Sequence, residues 1–350
     1  MNEYFTPLTG AAGGSMIGLA AVVVLIFNGN ILGASGILSH LVDAPQKALQ
    51  DTAQFWKLIL LSTFLLTSTF LLGPQYARDD RIARGDTSVP IPSELGYAVA
   101  GLLVGFGSKL GNGCTSGHGV CGLGRRSKRS FAAVITFMTT AILTSILNSP
   151  DSFLAQYTQA LRTDELSPLD PGLGFKFTTA IVFLTLVSYR FSQKNFTAED
   201  KSKLFAGAVA GVLFASGLAI GGMVVGSKLY GFLNMTSIAD GTWDPTLATV
   251  LGAAVPISML AYHYVKGFGF FDHNCCLSKP LMASKFSIPT NSVIDKELII
   301  GAATFGIGWG LGLVCPAPAI FLAAVGNTDI LFRWIPGMIA GFYLAKQVKK

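Results

Sequence analysis

Charge is scarce in this chain. Asp, Glu, Lys and Arg make up 13% of its 350 residues, where a soluble globular protein carries about a quarter. Histidine is scarcer still: His40, His118, His263 and His273 are scattered along the sequence, which leaves no haem pair and no evident general base beside a nucleophile. The five cysteines, Cys114, Cys121, Cys275, Cys276 and Cys315, lack the pattern of a secreted disulfide framework. His273, Cys275 and Cys276 cluster in a polar loop, but their spacing is wrong for zinc. No metal and no cofactor are expected. The opening residues MNEYFTPLTG contain an acid and no Lys or Arg. The positive n-region of a signal peptide is therefore missing, and the first apolar run reads as a mature span.

Apolar residues and glycine are what the chain has in quantity: 51% hydrophobic residues and 40 glycines, with a mean hydropathy of +0.54. Glycine inside apolar runs suits close helix packing in lipid. Crossing the hydrocarbon layer takes about 20 apolar residues. Candidate spans are 10–27, 58–73, 95–108, 131–147, 175–189, 205–225, 247–262, 298–314 and 334–344. Two apolar pieces, 31–41 and 317–325, are too short to cross alone. The expected fold is an all-α integral membrane protein with about nine membrane helices plus short broken or re-entrant helices that carry cysteines. It is multi-pass, most simply in the cell membrane, with the lipid bilayer as its first partner.

A net charge of +6 would suggest nucleic acid in a soluble protein. Here the basic residues sit in short loops, where the positive-inside bias accounts for them, so no nucleic-acid partner is expected. Arg125, Arg126, Lys128 and Arg129 mark a cytoplasmic loop, and the acid-rich loop 148–173 the opposite side. Arg190 to Lys203 is cytoplasmic again, the loop around Lys228, Asp240 and Asp244 external, and Lys266 to Lys296 internal. The basic tail KQVKK points to the cytoplasm, although a count of spans can place it outside.

An internal repeat organises the chain. Residues 105–114, GFGSKLGNGC, align without gaps to 306–315, GIGWGLGLVC, at an offset of 201. Glu94 and Asp295 precede the two helices at the same offset, and Gly29 and Gly33 match Gly222 and Gly226 at an offset of 193. The expected division is 1–150 as a first membrane repeat, 151–203 as a connecting loop with a linking transmembrane helix, and 204–350 as a second repeat.

Both cysteine segments read as an apolar helix that stops at a Gly-rich break and is followed by a short helix. Cys114 leads into TSGHGVCG, and Cys315 into Pro316-Ala-Pro-Ala, with Pro at a favoured first-turn position. Irregular backbone at membrane depth survives only where protein buries it or a cavity hydrates it. Paired broken helices in matching places of two halves point to a transport site. Each short helix would aim its free N–H groups and positive dipole end at the break, which favours an anion. The thiol there can donate a weak S–H bond, and its soft sulfur suits a sulfur-containing anion. A lone intramembrane cysteine can equally serve as a small apolar residue.

No Asp or Glu lies within the apolar spans except at their ends, so the usual equipment of proton and cation paths is missing. Lys109 is placed to attract an anion or to snorkel. His118 is placed to bind substrate or to cap the turn, and Cys121 reads as structural. The glycines around Asn28-Gly29-Asn30 and Gly221-Gly222-Met223 either approach the path or pack helices.

The pieces GFGSKLGNGCTSGHGVCGLGRRS, GIGWGLGLVCPAP and FNGNILGASGIL resemble the YeeE/YedE sulfur-transport family of membrane proteins, in the same order and over nearly the whole chain. The resemblance implies uptake of thiosulfate or a related sulfur species. It also implies helices that dip into the membrane from both halves, and cysteines that relay the anion by S–H contacts. The family's central cysteine matches Cys114 and its second-half cysteine matches Cys315. Its thiosulfate carriers also have a cysteine after an N-terminal Gly-Arg pair, where this chain has Gly29-Asn30-Ile31-Leu32.

The function expected is a non-enzymatic permease or channel for a small sulfur-containing anion, without covalent chemistry. Its substrate-binding residues would be Cys114, Cys315, Gly113, Thr115, Ser116, His118, Gly111, Gly312, Lys109 and Pro316. A cytoplasmic sulfur-accepting protein is a candidate partner. The alternatives are a membrane sulfurtransferase or redox subunit that uses Cys114 covalently, and a structural partner subunit.

Overall fold

The computed structural model describes residues 5–76, 92–149, 169–265 and 277–349. Within these the chain is helical and contains no strand longer than a single bridge, Val265 to Leu277. In chain order the helices are α1 (Pro7–Ile26), α2 (Ala34–Asp43), α3 (Pro45–Gln50), α4 (Trp56–Leu66), α5 (Glu94–Leu110), α6 (Thr115–Gly122) and α7 (Lys128–Leu147). They continue as α8 (Pro171–Ser192), α9 (Ala198–Ile220), α10 (Gly226–Leu233), α11 (Thr246–His263), α12 (Lys296–Gly312), α13 (Pro316–Ala324) and α14 (Ile335–Val348). A π-helical turn, Thr67–Leu72, prolongs α4, and another, Ile330–Trp334, leads into α14.

Polar side chains start the spans. Ser93, Ser127, Asp170 and Asp295 each accept the N–H three residues on, at the heads of α5, α7, α8 and α12, and Thr197 with Asp200 forms a capping box on α9. These bonds satisfy donors that a helix start otherwise leaves open. Seven helical runs among the described residues are long and apolar enough to cross a membrane: α1, α4, α7, α8, α9, α11, and the stretch Lys296–Ala324 that contains α12. With the apolar faces of α7 and α8 turned outward, Phe131, Ile135, Phe183 and Phe191 among them, the chain is a multi-pass, all-α integral membrane protein.

Glycines set which helices touch. A Cβ on Gly107 of α5 would lie 2.3 Å from the Phe305 nitrogen of α12, and one on Gly301 equally close to the Gly111 nitrogen, so α5 and α12 run antiparallel in backbone contact. Gly101 and Gly105 meet Trp334 and Met338, so α14 runs parallel to α5; Gly306 and Gly310 meet Phe137 and Ala141, so α7 runs parallel to α12. The contacts form a row α14–α5–α12–α7. A second row, α4–α9–α1–α11, has the same directions: Gly211 lies against Leu60, Gly13 against Gly217 and Gly221, and Gly14 against Val250. Small residues that allow such approach are what membrane interfaces favour.

Left-handed backbone falls at the spacings of the sequence correspondences. Gly29 (φ 68°) and Gly222 (φ 71°) are 193 apart, and Asn112 (φ 59°) and Leu313 (φ 52°) are 201 apart. Ion pairs cross between the chain's two ends: Arg129 reaches Asp295 at 2.6 Å, and Arg333 pairs with Glu94. The tail lies at the basic end of the bundle, where Lys349 Nζ donates to the Lys109 carbonyl (2.8 Å) and to Asn112 Oδ1 (2.9 Å).

Two expectations change. The stretch around Lys228 forms helix α10 rather than a loop, because its apolar residues Leu229 and Leu233 are buried on one side only. Helix α9 begins at Ala198, seven residues before the apolar run, because its first turns are charged and capped.

Candidate functional site

The two breaks have the same build. Helix α5 ends at Gly111; Asn112 is left-handed, Gly113 follows, and Cys114 is extended (φ −130°, ψ −168°) as the cap residue of α6. Helix α12 ends with Leu313 left-handed, then Val314, then Cys315 extended (φ −107°, ψ 171°) as the cap residue of α13. Left-handed backbone is uncommon outside glycine and strained for a residue such as leucine. The two short helices differ in what they offer. Helix α6 opens with the N–H groups of Thr115, Ser116 and Gly117, whereas α13 opens Pro-Ala-Pro and presents only that of Ala317.

Both helix starts face one cavity of about 30 Å³, lined by Cys114, Thr115, Ser116, Cys315, Pro316 and Ala34, with apolar walls from several helices and the Met223 side chain. That is room for about two waters. The Thr115 hydroxyl donates to Cys315 Sγ at 3.6 Å, and Cys114 Sγ lies 3.3 Å from Ser116 Oγ. The Ala34 N–H, at the head of α2, donates to the same Ser116 oxygen at 3.2 Å. Cys114 and Cys315 are free thiols, buried to 1% and 4% exposure. No carboxylate lines this space.

A second, larger cavity of about 390 Å³ lies immediately behind it. Gly33, Gly113 and Gly117 line the larger space, while their chain neighbours Ala34, Cys114 and Ser116 line the smaller. The partition between them is therefore no thicker than the backbone at the heads of α2 and α6. A Cβ on Gly117 would meet nothing within 4 Å, and the nearest atom to one on Gly33 is the Gly117 Cα at 3.9 Å. Lys57, Lys109, Arg125 and Arg129 line the larger cavity.

The other expected site residues divide. Gly113 lines the larger cavity and lies against the His118 ring. Both ring nitrogens of His118 are engaged: Nε2 lies 3.1 Å from the Gly111 carbonyl and so donates to it, leaving Nδ1 to accept from the Ser130 hydroxyl at 3.0 Å. His118 thus holds the turn together. Gly111 packs against Gly301 and Ala302, and Gly312 against Ala100 and Trp334, so both serve helix contact. Lys109 is in the larger cavity, paired with Asp43. Cys121 donates to the Leu32 carbonyl at 3.5 Å, a tie between α6 and the head of α2. His273, Cys275 and Cys276 lie outside the described residues. Sequence reasoning missed Ala34, since an apolar residue on a cavity wall has no signature of its own; Met223 lies in the Gly221-Gly222-Met223 segment, for which approach to the path was one of two readings.

Residues 202–350 match a family of unknown function, DUF6691. A probable transporter of Xylella fastidiosa strain Temecula1 is 33% identical over 139 residues, 40% of this chain and 85% of that protein. A second probable transporter of that strain is 35% identical over 145 residues, 41% of this chain and 95% of that protein. Strain 9a5c has a probable transporter 35% identical over 147 residues, 41% of this chain and 95% of that protein. Each relative is thus less than half as long as this chain. The chain belongs to the family of these bacterial probable transporters.

Proposed function

We propose that this membrane transporter carries a small sulfur-containing anion, thiosulfate or a close relative, past Cys114 and Cys315 without covalent chemistry. The observation that carries the reading is the meeting of two short helices, each capped by a cysteine, at a single cavity free of carboxylates. Their N-termini bring positive dipole ends and unpaired N–H groups to one point. A space of about 30 Å³ is too small for a hydrated ion, so the anion must exchange water for protein donors. The hydroxyls of Thr115 and Ser116 and the two S–H groups are the donors at hand. Sulfur lone pairs and weak S–H bonds discriminate less against a large polarisable anion than against small hard ones, which favours a thiosulfate-like substrate. The resemblance to the YeeE/YedE family supports the same substrate class.

The chain then consists of two membrane repeats, 1–150 and 204–350, joined through 151–203. Parallel and antiparallel contacts recur in both helix rows, as do the left-handed positions. Together they favour a pseudo-two-fold arrangement with nine crossings in which the short helices enter from opposite faces. Where family thiosulfate carriers have a third cysteine, this chain has Gly29-Asn30-Ile31-Leu32, so its relay has two thiol stations. A cytoplasmic acceptor of sulfur is the natural recipient. Covalent chemistry at Cys114 finds little support in a site whose histidine has both nitrogens occupied.

The test is flux of labelled thiosulfate into liposomes containing the purified protein, compared with sulfate, phosphate and chloride. The proposal expects thiosulfate to enter fastest. Flux no greater than in empty liposomes overturns it and favours a structural role within a larger complex.

A further inference from the structure

Four cationic side chains, Lys57, Lys109, Arg125 and Arg129, line the cavity of about 390 Å³, and no Asp or Glu lines it. Two of the four are neutralised from outside the lining: Lys109 pairs with Asp43, and Arg129 with Asp295. The other two are not. Arg125 donates to a neutral acceptor, the Pro289 carbonyl, and its buried Nε has no hydrogen-bond partner. Lys57 has no ion pair or hydrogen bond among the described residues; its ammonium lies 5.9 Å from the centre of the Trp56 ring, and Asp51, the acid that acts on it, accepts the Ala53 N–H at 3.0 Å. Trp56, 1% exposed and also lining the cavity, keeps a buried indole N–H without a partner. Ser35 and Asn112 add neutral polar groups to the wall, whereas Ser39, Ser108 and Asn30 donate to the Gly36, Gly105 and Asn28 carbonyls. Lys349 adds a further positive charge at the Lys109 carbonyl.

Uncompensated positive charge lining a cleft concentrates anions. The cations do not follow from the duplication. Positions 201 residues beyond Lys109 and Arg125 hold Gly310 and Gly326, so the second half carries no matching charge there. The volume matters too: about 390 Å³ is many times the roughly 10–15 Å³ that holds one water, enough for a small oxyanion with much of its hydration shell.

We infer that this chamber is a second anion site, held by Lys57 and Arg125, that takes hydrated divalent oxyanions as a class, sulfate as well as thiosulfate. It rests on the transport reading for its purpose, since it lies one backbone thickness from Cys114, on the basic side of the bundle. Selection by charge happens in the chamber, and selection for sulfur happens at the cysteines. An anion leaving the cysteines between Gly33 and Gly117 regains its water at Lys57 and Arg125.

Titration calorimetry on the full chain in neutral detergent tests this, with sodium sulfate and sodium thiosulfate as probes at low ionic strength. The chamber predicts that both bind with similar affinity, weakened by added salt. Lys57→Gln with Arg125→Gln should weaken both roughly fivefold or more, while Lys57→Arg retains binding. Sulfate binding that survives the Lys57→Gln, Arg125→Gln pair in a folded protein overturns the site. Repeating the titration with phosphatidylglycerol in the micelle separates free oxyanion from lipid headgroup: unchanged affinity supports the former, and abolished sulfate binding overturns it. Should thiosulfate flux be absent while both anions bind through Lys57 and Arg125, the chamber stands and the transport reading fails.

Discussion

Gly107 and Gly117 sit on consecutive helices and meet opposite surroundings. Gly107 is pressed on the backbone of α12, where a Cβ would lie 2.3 Å from the Phe305 nitrogen, whereas Gly117 faces open space between two cavities. Gly107→Val should therefore cost about 3 kcal/mol or more, because neither backbone can retreat. Gly117→Val should stay within about 1 kcal/mol of the parent, since glycine in a helix is itself unfavourable, and yet obstruct the partition. Thermal unfolding in detergent together with thiosulfate flux checks both. The prediction is a loss of folding in the first variant, and of flux alone in the second; a Gly117→Val protein that transports at the parent rate would mean the path lies elsewhere. Cys114 and Cys315 were legible in the sequence because a cysteine beside a Gly-rich break is chemically conspicuous. His118 was legible as a residue but not as a role, since only coordinates reveal that Ser130 and Gly111 occupy its nitrogens.

At the scale of elements, hydropathy located the spans well and their ends less well. The apolar run of α9 starts at Phe205, yet the helix begins at Ala198, where a capping box and charged first turns are invisible to an apolar window. Helix α10 was missed for the same reason, as it lies on the bundle with one buried side. The heads of the helices also carry a pH dependence. Asp295 caps α12 by accepting the Leu298 N–H at 2.8 Å and bonds Arg129 at 2.6 Å; that bond from Arg129 holds its carboxyl below the ordinary value of 3.8. With the folded value depressed, its contribution is complete above pH about 4 and is lost as pH falls through the lower folded value. The parent should thus lose more thermal stability between neutral pH and acid than Asp295→Asn does. At neutral pH that variant should be less stable by about 1 kcal/mol or more, with the cap weakened and Arg129 left without its counterion. Equal pH profiles in the two proteins would remove the ion pair from the account.

At the scale of the whole molecule, the sequence offsets have counterparts in the backbone. The offsets of 193 and 201 read from glycines reappear in left-handed residues and in matched helix rows, and relatives from Xylella fastidiosa are less than half as long as this chain. The matched breaks put Cys114 and Cys315 on one expected path; what the sequence withheld was the direct Thr115 to Cys315 contact and the Ala34 wall, because contacts between distant residues leave no local pattern. On the proposed two-repeat reading, the interleaved helix rows should reassemble from separate chains. Co-production of residues 1–168 with 169–350 should restore flux that neither piece supports alone, and recovery of function from one piece would refute the interleaved arrangement. The most direct test of the central claim compares thiosulfate flux into liposomes for the parent and for Cys114→Ala combined with Cys315→Ala, with insertion and unfolding temperature matched. An S–H contact to a charged ligand contributes on the order of 1.5–3 kcal/mol, so the account predicts that flux falls by roughly tenfold or more. A double variant that carries thiosulfate as fast as the parent would contradict it.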